Sequence, residues 1–252
     1  MRYVWIFVLL LAIGSMVIVA VSYSQGNVAL ITIDNVIDNY EADRIIAEIQ
    51  EANEKPNIKA ILIEINSPGG SVVASRSVAE AVKQSEKPTV CWLRDVATSG
   101  AYWVASACDY IVADNFTITG SIGVSASYLE FSKLMEKYGI TYVRIVSDEE
   151  KDIGSPYRNA SELEIAKMQG MVNRIYDAFV NEVAENRNVS PQMIRSLNSS
   201  IILGEDAYEL GLVDEIGGWQ IVEAKLKEYV GEVKLESMEK PLTLQDILRE
   251  LK

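Results

Sequence analysis

The chain has no histidine and only two cysteines in 252 residues. The first absence rules out a Ser-His-Asp triad within this polypeptide, so a nucleophilic serine needs another base, and lysine is the natural candidate. It also rules out zinc sites built on histidine. Two isolated cysteines cannot complete a cysteine-rich site, so the expected chemistry uses no metal and no cofactor. Clusters of lysine or arginine are missing as well. With 36 acidic against 23 basic residues the formal charge is −13, which argues against nucleic acid as a partner. A solvated exterior is sufficient reason for the surplus.

What the chain does have is a front segment, Val4 to Ser22, without a single charge. Such a stretch is long enough to cross roughly 30 Å of hydrocarbon as one helix. Arg2 on its short side predicts a cytoplasmic N-terminus and an exported remainder, in the cell membrane as a single-pass protein. Ala20-Val21-Ser22 has the small-x-small pattern of a cleavable signal peptide, but the apolar run exceeds the 7–15 residues typical of such a peptide, which favours an uncleaved anchor. The expected organisation is residues 1–3 cytoplasmic, 4–22 anchor, 23–27 linker and 28–230 one α/β domain. A strand and an amphipathic helix, with Leu242, Leu244, Ile247, Leu248 and Leu251 at helical spacing, are expected in 231–252. Export to an oxidising compartment brings a disulfide between Cys91 and Cys108 into consideration, but both lie in apolar runs, where free cysteine behaves as a small buried hydrophobe, and free thiols are the expectation.

Beyond the anchor, apolar strands alternate with amphipathic helices, the pattern of an α/β domain with a largely parallel sheet. Expected strands are Val28–Ile33, Ile58–Ile65, Thr89–Leu93, Tyr110–Ala113, Tyr142–Ile145 and Ile201–Leu203. Helical periodicity covers Ala42–Asn53, Val72–Gln84, Ser99–Ala107, Leu129–Tyr138 and Glu162–Glu185.

Two turns at the ends of neighbouring strands carry the chemistry. In Asn66-Ser67-Pro68-Gly69-Gly70-Ser71, glycines permit positive φ and expose N–H groups, as an oxyanion requires. The plain alternative is ordinary turn chemistry between strand and helix. In Ala97-Thr98-Ser99-Gly100-Ala101-Tyr102, a hydroxyl stands at the end of a sheet, where α/β folds place their sites. Its plain alternative is a helix N-cap.

Together with Thr119-Gly120-Ser121-Ile122-Gly123-Val124 and Gly204 to Gly217, these motifs resemble the signal peptide peptidase A family in its short, single-repeat form, over Val28 to about Glu228. The resemblance implies a membrane-anchored serine protease of the ClpP/crotonase fold, a repeated ββα superhelix behind a single N-terminal transmembrane helix, using a Ser-Lys dyad. It implies Ser99 as nucleophile and Lys151, in Lys151-Asp-Ile-Gly154-Ser-Pro-Tyr-Arg158, as general base. Gly69, Gly70 and Gly100 would supply the oxyanion hole, and Ser121 would hold the lysine amine. Read alone, Ser121 is a turn residue. Ala101 and Thr98 depart from the family's usual glycine and alanine, which bears on substrate fit more than on catalysis.

Lys151 sits among Asp148, Glu149, Glu150 and Asp152. Nearby carboxylates favour the charged amine, whereas a base must be neutral, so the lysine needs a drier wall, and a second subunit can supply one. The family's rings, in which serine and lysine of one site come from adjacent protomers, imply a homo-oligomer here. Expected substrates are peptides, remnant signal peptides above all. The alternatives are a Ser-Lys protease cutting stomatin-like membrane proteins, a silent scaffold ring, and, more remotely, acyl-CoA chemistry on the same fold.

Overall fold

The structure, a computed structural model, describes residues 26–239. The expected anchor and the C-terminal helix from Leu242 lie outside the described residues, among which no helix is long and apolar enough to cross a membrane. The described chain divides into two units, one of residues 26–121 and 201–239 and one of 122–200.

The first unit is built on one sheet of β1 (Val28–Ile37), β2 (Ala60–Gly70), β3 (Thr89–Thr98), β4 (Tyr110–Ala113), β5 (Ile118–Gly120), β6 (Ile201–Leu203), β7 (Glu215–Ile216) and β8 (Leu235–Ser237). Its main path runs β6-β5-β3-β2-β1-β8, with β4 beside β3 and β7 beside β4. All pairs are parallel except β5 with β6. Residues 60–63 of β2 are fully buried, the continuous apolar run expected of a strand covered on both faces. β3 changes neighbour along its length: Val90 to Leu93 pair with β4, and Val96 to Thr98 with β5. Its far end is thereby carried past β4 toward the candidate site.

Three helices return the chain between these strands. In α1 (Asn39–Glu54), Asp38 caps the first turn by accepting from the Glu41 N–H at 2.9 Å. α2 (Val72–Lys83) buries Ala74, Ser75, Val78, Ala79 and Val82, a stripe at helical spacing. α3 (Gly100–Ser106) is buried along its whole length. Its Tyr102 donates a hydrogen bond of 2.7 Å to the Leu212 carbonyl.

The second unit holds α4 (Ser132–Lys137), α5 (Glu162–Arg187) and α6 (Pro191–Ser196). A capping box starts α5: Ser161 accepts from the Glu164 N–H, and the Glu164 carboxylate accepts from the Ser161 N–H. The chain then re-enters the first unit through β6, α7 (Gly204–Glu209), β7, α8 (Trp219–Val230) and β8.

Two expectations need correction. Tyr142–Ile145 is not a strand; residues 141–146 have no ladder partner among the described residues. The Arg144 guanidinium instead ties this segment to the following turn through Glu149 and Asp152. Cys91 and Cys108 are bridged rather than free, because the chain reversal through α3 brings residue 108 back beside β3 with 6.0 Å between the Cα atoms. An apolar setting did not distinguish buried thiols from a buried bridge.

Replacing Tyr102 with Phe leaves the buried Leu212 carbonyl without this donor. The loss of about 1 kcal/mol lowers the Tm by about 2–4 °C in calorimetry; an unchanged Tm would show the bond to be idle.

Candidate active site

Ser99 occupies the turn from β3 into α3 with φ 55 and ψ −124, a backbone conformation that costs a non-glycine residue about 1–3 kcal/mol. It stands at the N-cap position but makes no capping bond with its side chain. Capping therefore does not account for a serine here. Its N–H donates to the Gly120 carbonyl at 2.9 Å and its carbonyl accepts from Trp103, so the backbone is fixed while the half-exposed hydroxyl is left unpaired among the described residues. A strained strand-to-helix turn that presents a serine hydroxyl at the end of a sheet is the arrangement of a nucleophile elbow.

The glycine segment reaches this turn as the end of β2, not as a free loop before α2. β2 pairs with β1 as far as Gly70, through an irregularity at Asp34/Val36, where Asn35 has φ 64. Ser67 Oγ donates to the Asn35 carbonyl and accepts from the Gly69 N–H at 3.1 Å. Thr98 Oγ1 donates to the Pro68 carbonyl at 3.2 Å. Gly69 has φ 92, and a Cβ there would lie 2.5 Å from Gly100 N and 3.1 Å from Ser99 Cβ. Only glycine lets the two backbones meet.

These contacts sort the expected oxyanion donors. The Gly69 N–H already donates to Ser67 Oγ, and the missing Cβ at this position is what permits the close approach. Ser71 N–H donates to the Ile37 carbonyl at 2.9 Å. The alternation of a parallel ladder then directs the Gly70 N–H to the other side of the strand, away from β1. There, Gly70 N is 3.2 Å from the point where a Cβ on Gly100 would sit. Gly100 carries the first amide of α3, which has no carbonyl within the helix to bind. The Gly70 and Gly100 amides thus flank the serine turn.

Ser121 follows directly on Gly120, the backbone partner of Ser99, and both residues have positive φ, at 51 and 77. That geometry suits a turn, and it also places the Ser121 hydroxyl one residue from the serine's own strand pairing. Lys151 belongs to the second unit, in an exposed turn where its N–H donates to the Asp148 carbonyl at 3.1 Å. The carboxylates around it are largely spoken for by other cations. Asp152 receives both Arg144 and Arg158, Glu149 receives Arg144, and Glu150 receives Lys167. The Lys151 amine makes no ion pair among the described residues. Sequence proximity alone had suggested the opposite.

Arg158 is the centre of that charge network, binding Asp152 and the capping Glu164 together. Its hydrogen bonds hold the Glu164 carboxyl down at about 2, helped by the Ser161 N–H. Arg158 and then Arg144 likewise hold Asp152 well below the usual carboxylate range. Sequence reading named Arg158 only as part of a motif; the alternation of basic and acidic residues from 144 to 164 was the available signal.

A mostly parallel sheet with short returning helices and a serine turn at its end is a ClpP-like α/β domain. Residues 81–233 match Peptidase family S49, and residues 19–112 match Clp protease. The chain belongs to peptidase family S49, that of the signal peptide peptidases A. It is 38% identical over 183 residues to a provisionally named protease of Methanocaldococcus jannaschii, covering 71% of this chain and 59% of that one. It is 36% identical over 184 residues to a provisionally named signal peptide peptidase of Enterococcus faecium, covering 71% and 54%. The chain therefore spans a little over half the length of these relatives. Among solved structures, a membrane-bound stomatin-specific protease superposes with TM-score 0.59 at 16% identity over 86% of this chain and 99% of that one. Listeria monocytogenes ClpP1 does so with TM-score 0.53 at 16% identity over 75% and 90%. At such identity the likeness is one of fold.

Two outcomes follow from this geometry. Ser99→Gly relieves the strained turn and raises the Tm by about 2–4 °C, whereas Ser99→Ala, which keeps a Cβ, does not; equal Tm values for both would contradict the strain. Because the folded carboxyls of Asp152 and Glu164 are depressed, their contribution is present above the unfolded values near 4 and fades as the pH falls toward 2. Hydrogen exchange of residues 144–164 is accordingly flat from pH 7 to about pH 5 once corrected for intrinsic rates, and accelerates below about pH 4. Acceleration already at pH 6 would contradict the assignment.

Proposed function

We propose that the protein is a serine endopeptidase in which Ser99 is the nucleophile and Lys151 the base. The observation that carries this reading is the Ser99 turn itself: a strained serine whose hydroxyl is unpaired among the described residues, beside the Gly70 and Gly100 amides, in a chain of family S49 without histidine. The neutral Lys151 amine takes the Ser99 proton as Oγ attacks a peptide carbonyl. The tetrahedral oxyanion accepts from the Gly70 and Gly100 amides. Collapse breaks the C–N bond, and the leaving amine takes the proton back from Lys151. Water, activated by the same amine, then hydrolyses the ester and restores Ser99. Ser121 serves as the acceptor that orients the amine.

Shared sites in a homo-oligomeric ring fit the surface of the second unit. It exposes Ile145 at 91%, Val143 at 74% and Leu163 at 62%, with Leu129, Tyr138 and Ile165 also exposed. This many exposed large apolar side chains on one unit support an interface there. A neighbouring subunit there would also give Lys151 the drier setting that a neutral amine requires. The uncharged run Val4 to Ser22 supports a single-pass anchor that leaves residues 28–230 outside the cytoplasm as the protease domain. Substrates are then peptides at the membrane surface, remnant signal peptides first, in line with the name of the Enterococcus faecium relative. A second reading, cleavage of stomatin-like membrane proteins, is favoured by the name of one structural neighbour.

Hydrolysis of a signal-peptide substrate by the full chain is expected to rise with pH, as a base that works only when neutral requires. Ser99→Ala and Lys151→Ala each lower kcat by about a thousandfold or more. Mixing the two inactive variants restores up to about a quarter of the wild-type rate, because a site shared between subunits is intact when it draws each residue from the other variant. Full activity of Lys151→Ala would overturn the base assignment, and activity confined to a stomatin-derived peptide would favour the second reading.

A further inference from the structure

Ser75 lies one turn into α2 and is fully buried, yet its Oγ has no hydrogen-bond partner among the described residues. Serine inside a helix commonly returns its hydroxyl to the carbonyl four residues back. Here that carbonyl, of Ser71, accepts the Ser75 backbone N–H at 2.9 Å and not the hydroxyl. An unpaired buried hydroxyl is destabilising, and alanine is the better helix former. Stability alone therefore favours alanine at this position.

The hydroxyl is aimed at the serine turn. Ser75 Oγ lies 2.2 Å from the point a Cβ on Gly100 would occupy, and that point is 3.2 Å from Gly70 N. Ser75 thus fills the space that Gly100 leaves open, a space that Gly70 N also borders. We propose that Ser75 is a positioning residue for peptide hydrolysis: its side chain sets the spacing of the Gly70 and Gly100 amides, and its hydroxyl dipole reinforces theirs. With no acceptor of its own, the O–H is free to direct its positive end between the two amides as negative charge develops there. The inference rests on the reading of Ser99 as nucleophile. Charge of this kind exists in the transition state and not in bound substrate, so the effect belongs to kcat rather than KM.

The test is steady-state peptide hydrolysis by full-length wild type, Ser75→Ala and Ser99→Ala, with the Tm of each. Ser75→Ala is expected to lose about tenfold in kcat, to keep KM within about twofold, and to melt at the wild-type temperature or above. An unchanged kcat in Ser75→Ala, beside an active wild type and an inactive Ser99→Ala, overturns this inference alone. So does a fall in kcat that comes with a lowered Tm, which would make Ser75 a packing residue. A wild type that does not hydrolyse, or a Ser99→Ala that does, removes the proposed function and this inference with it.

Discussion

The end of β2 meets the β3–α3 turn backbone against backbone, and the rest of the site depends on that approach. Three features hold it: the shift in β2–β3 pairing that sets Ser67 opposite Ala97, the Ser67 bridge to Asn35 in β1, and the missing Cβ at Gly69. Any side chain at 69 would meet the amide of Gly100 at 2.5 Å. Sheet register thus brings the Gly70 and Gly100 amides together beside the Ser99 turn, where Ser75 fills the remaining space. The strain at Ser99 is sustained by its bond to Gly120 in β5 and by the fully buried α3 beyond it.

A second constraint is electrostatic and lies in the other unit. A chain with a formal charge of −13 carries Lys151, the proposed base, amid carboxylates. The acids are taken up locally by arginine and lysine, with Arg158 linking the turn after Lys151 to the capping box of α5. Among the described residues the Lys151 amine is left without an acid partner, which is what the proposed second-subunit setting requires.

Much of this was legible in the sequence where the physics is local. The parallel core strands declare themselves by uninterrupted apolar runs, and α5 by the helical periodicity of Glu162–Glu185. The serine and glycine motifs point to one end of the sheet because turn chemistry is written in residue types. What was hidden depends on partners distant in sequence. Tyr142–Ile145 has strand composition but no strand to pair with among the described residues, and the Cys91–Cys108 bridge follows from the path of α3. α8 and the short β5 and β7 take their form from packing against the sheet, and Ser75 reads as one more small residue on a buried helix face. The different hydrogen bonding of the Gly69 and Gly70 amides required the actual register.

The most direct measurement of the central claim is peptide mapping by mass spectrometry after treatment of the full chain with a fluorophosphonate probe that labels activated serines. The account predicts a single adduct on Ser99, lost in Lys151→Ala while Ser99 remains in place. An adduct on another serine, or equal labelling of Ser99 without Lys151, would contradict it.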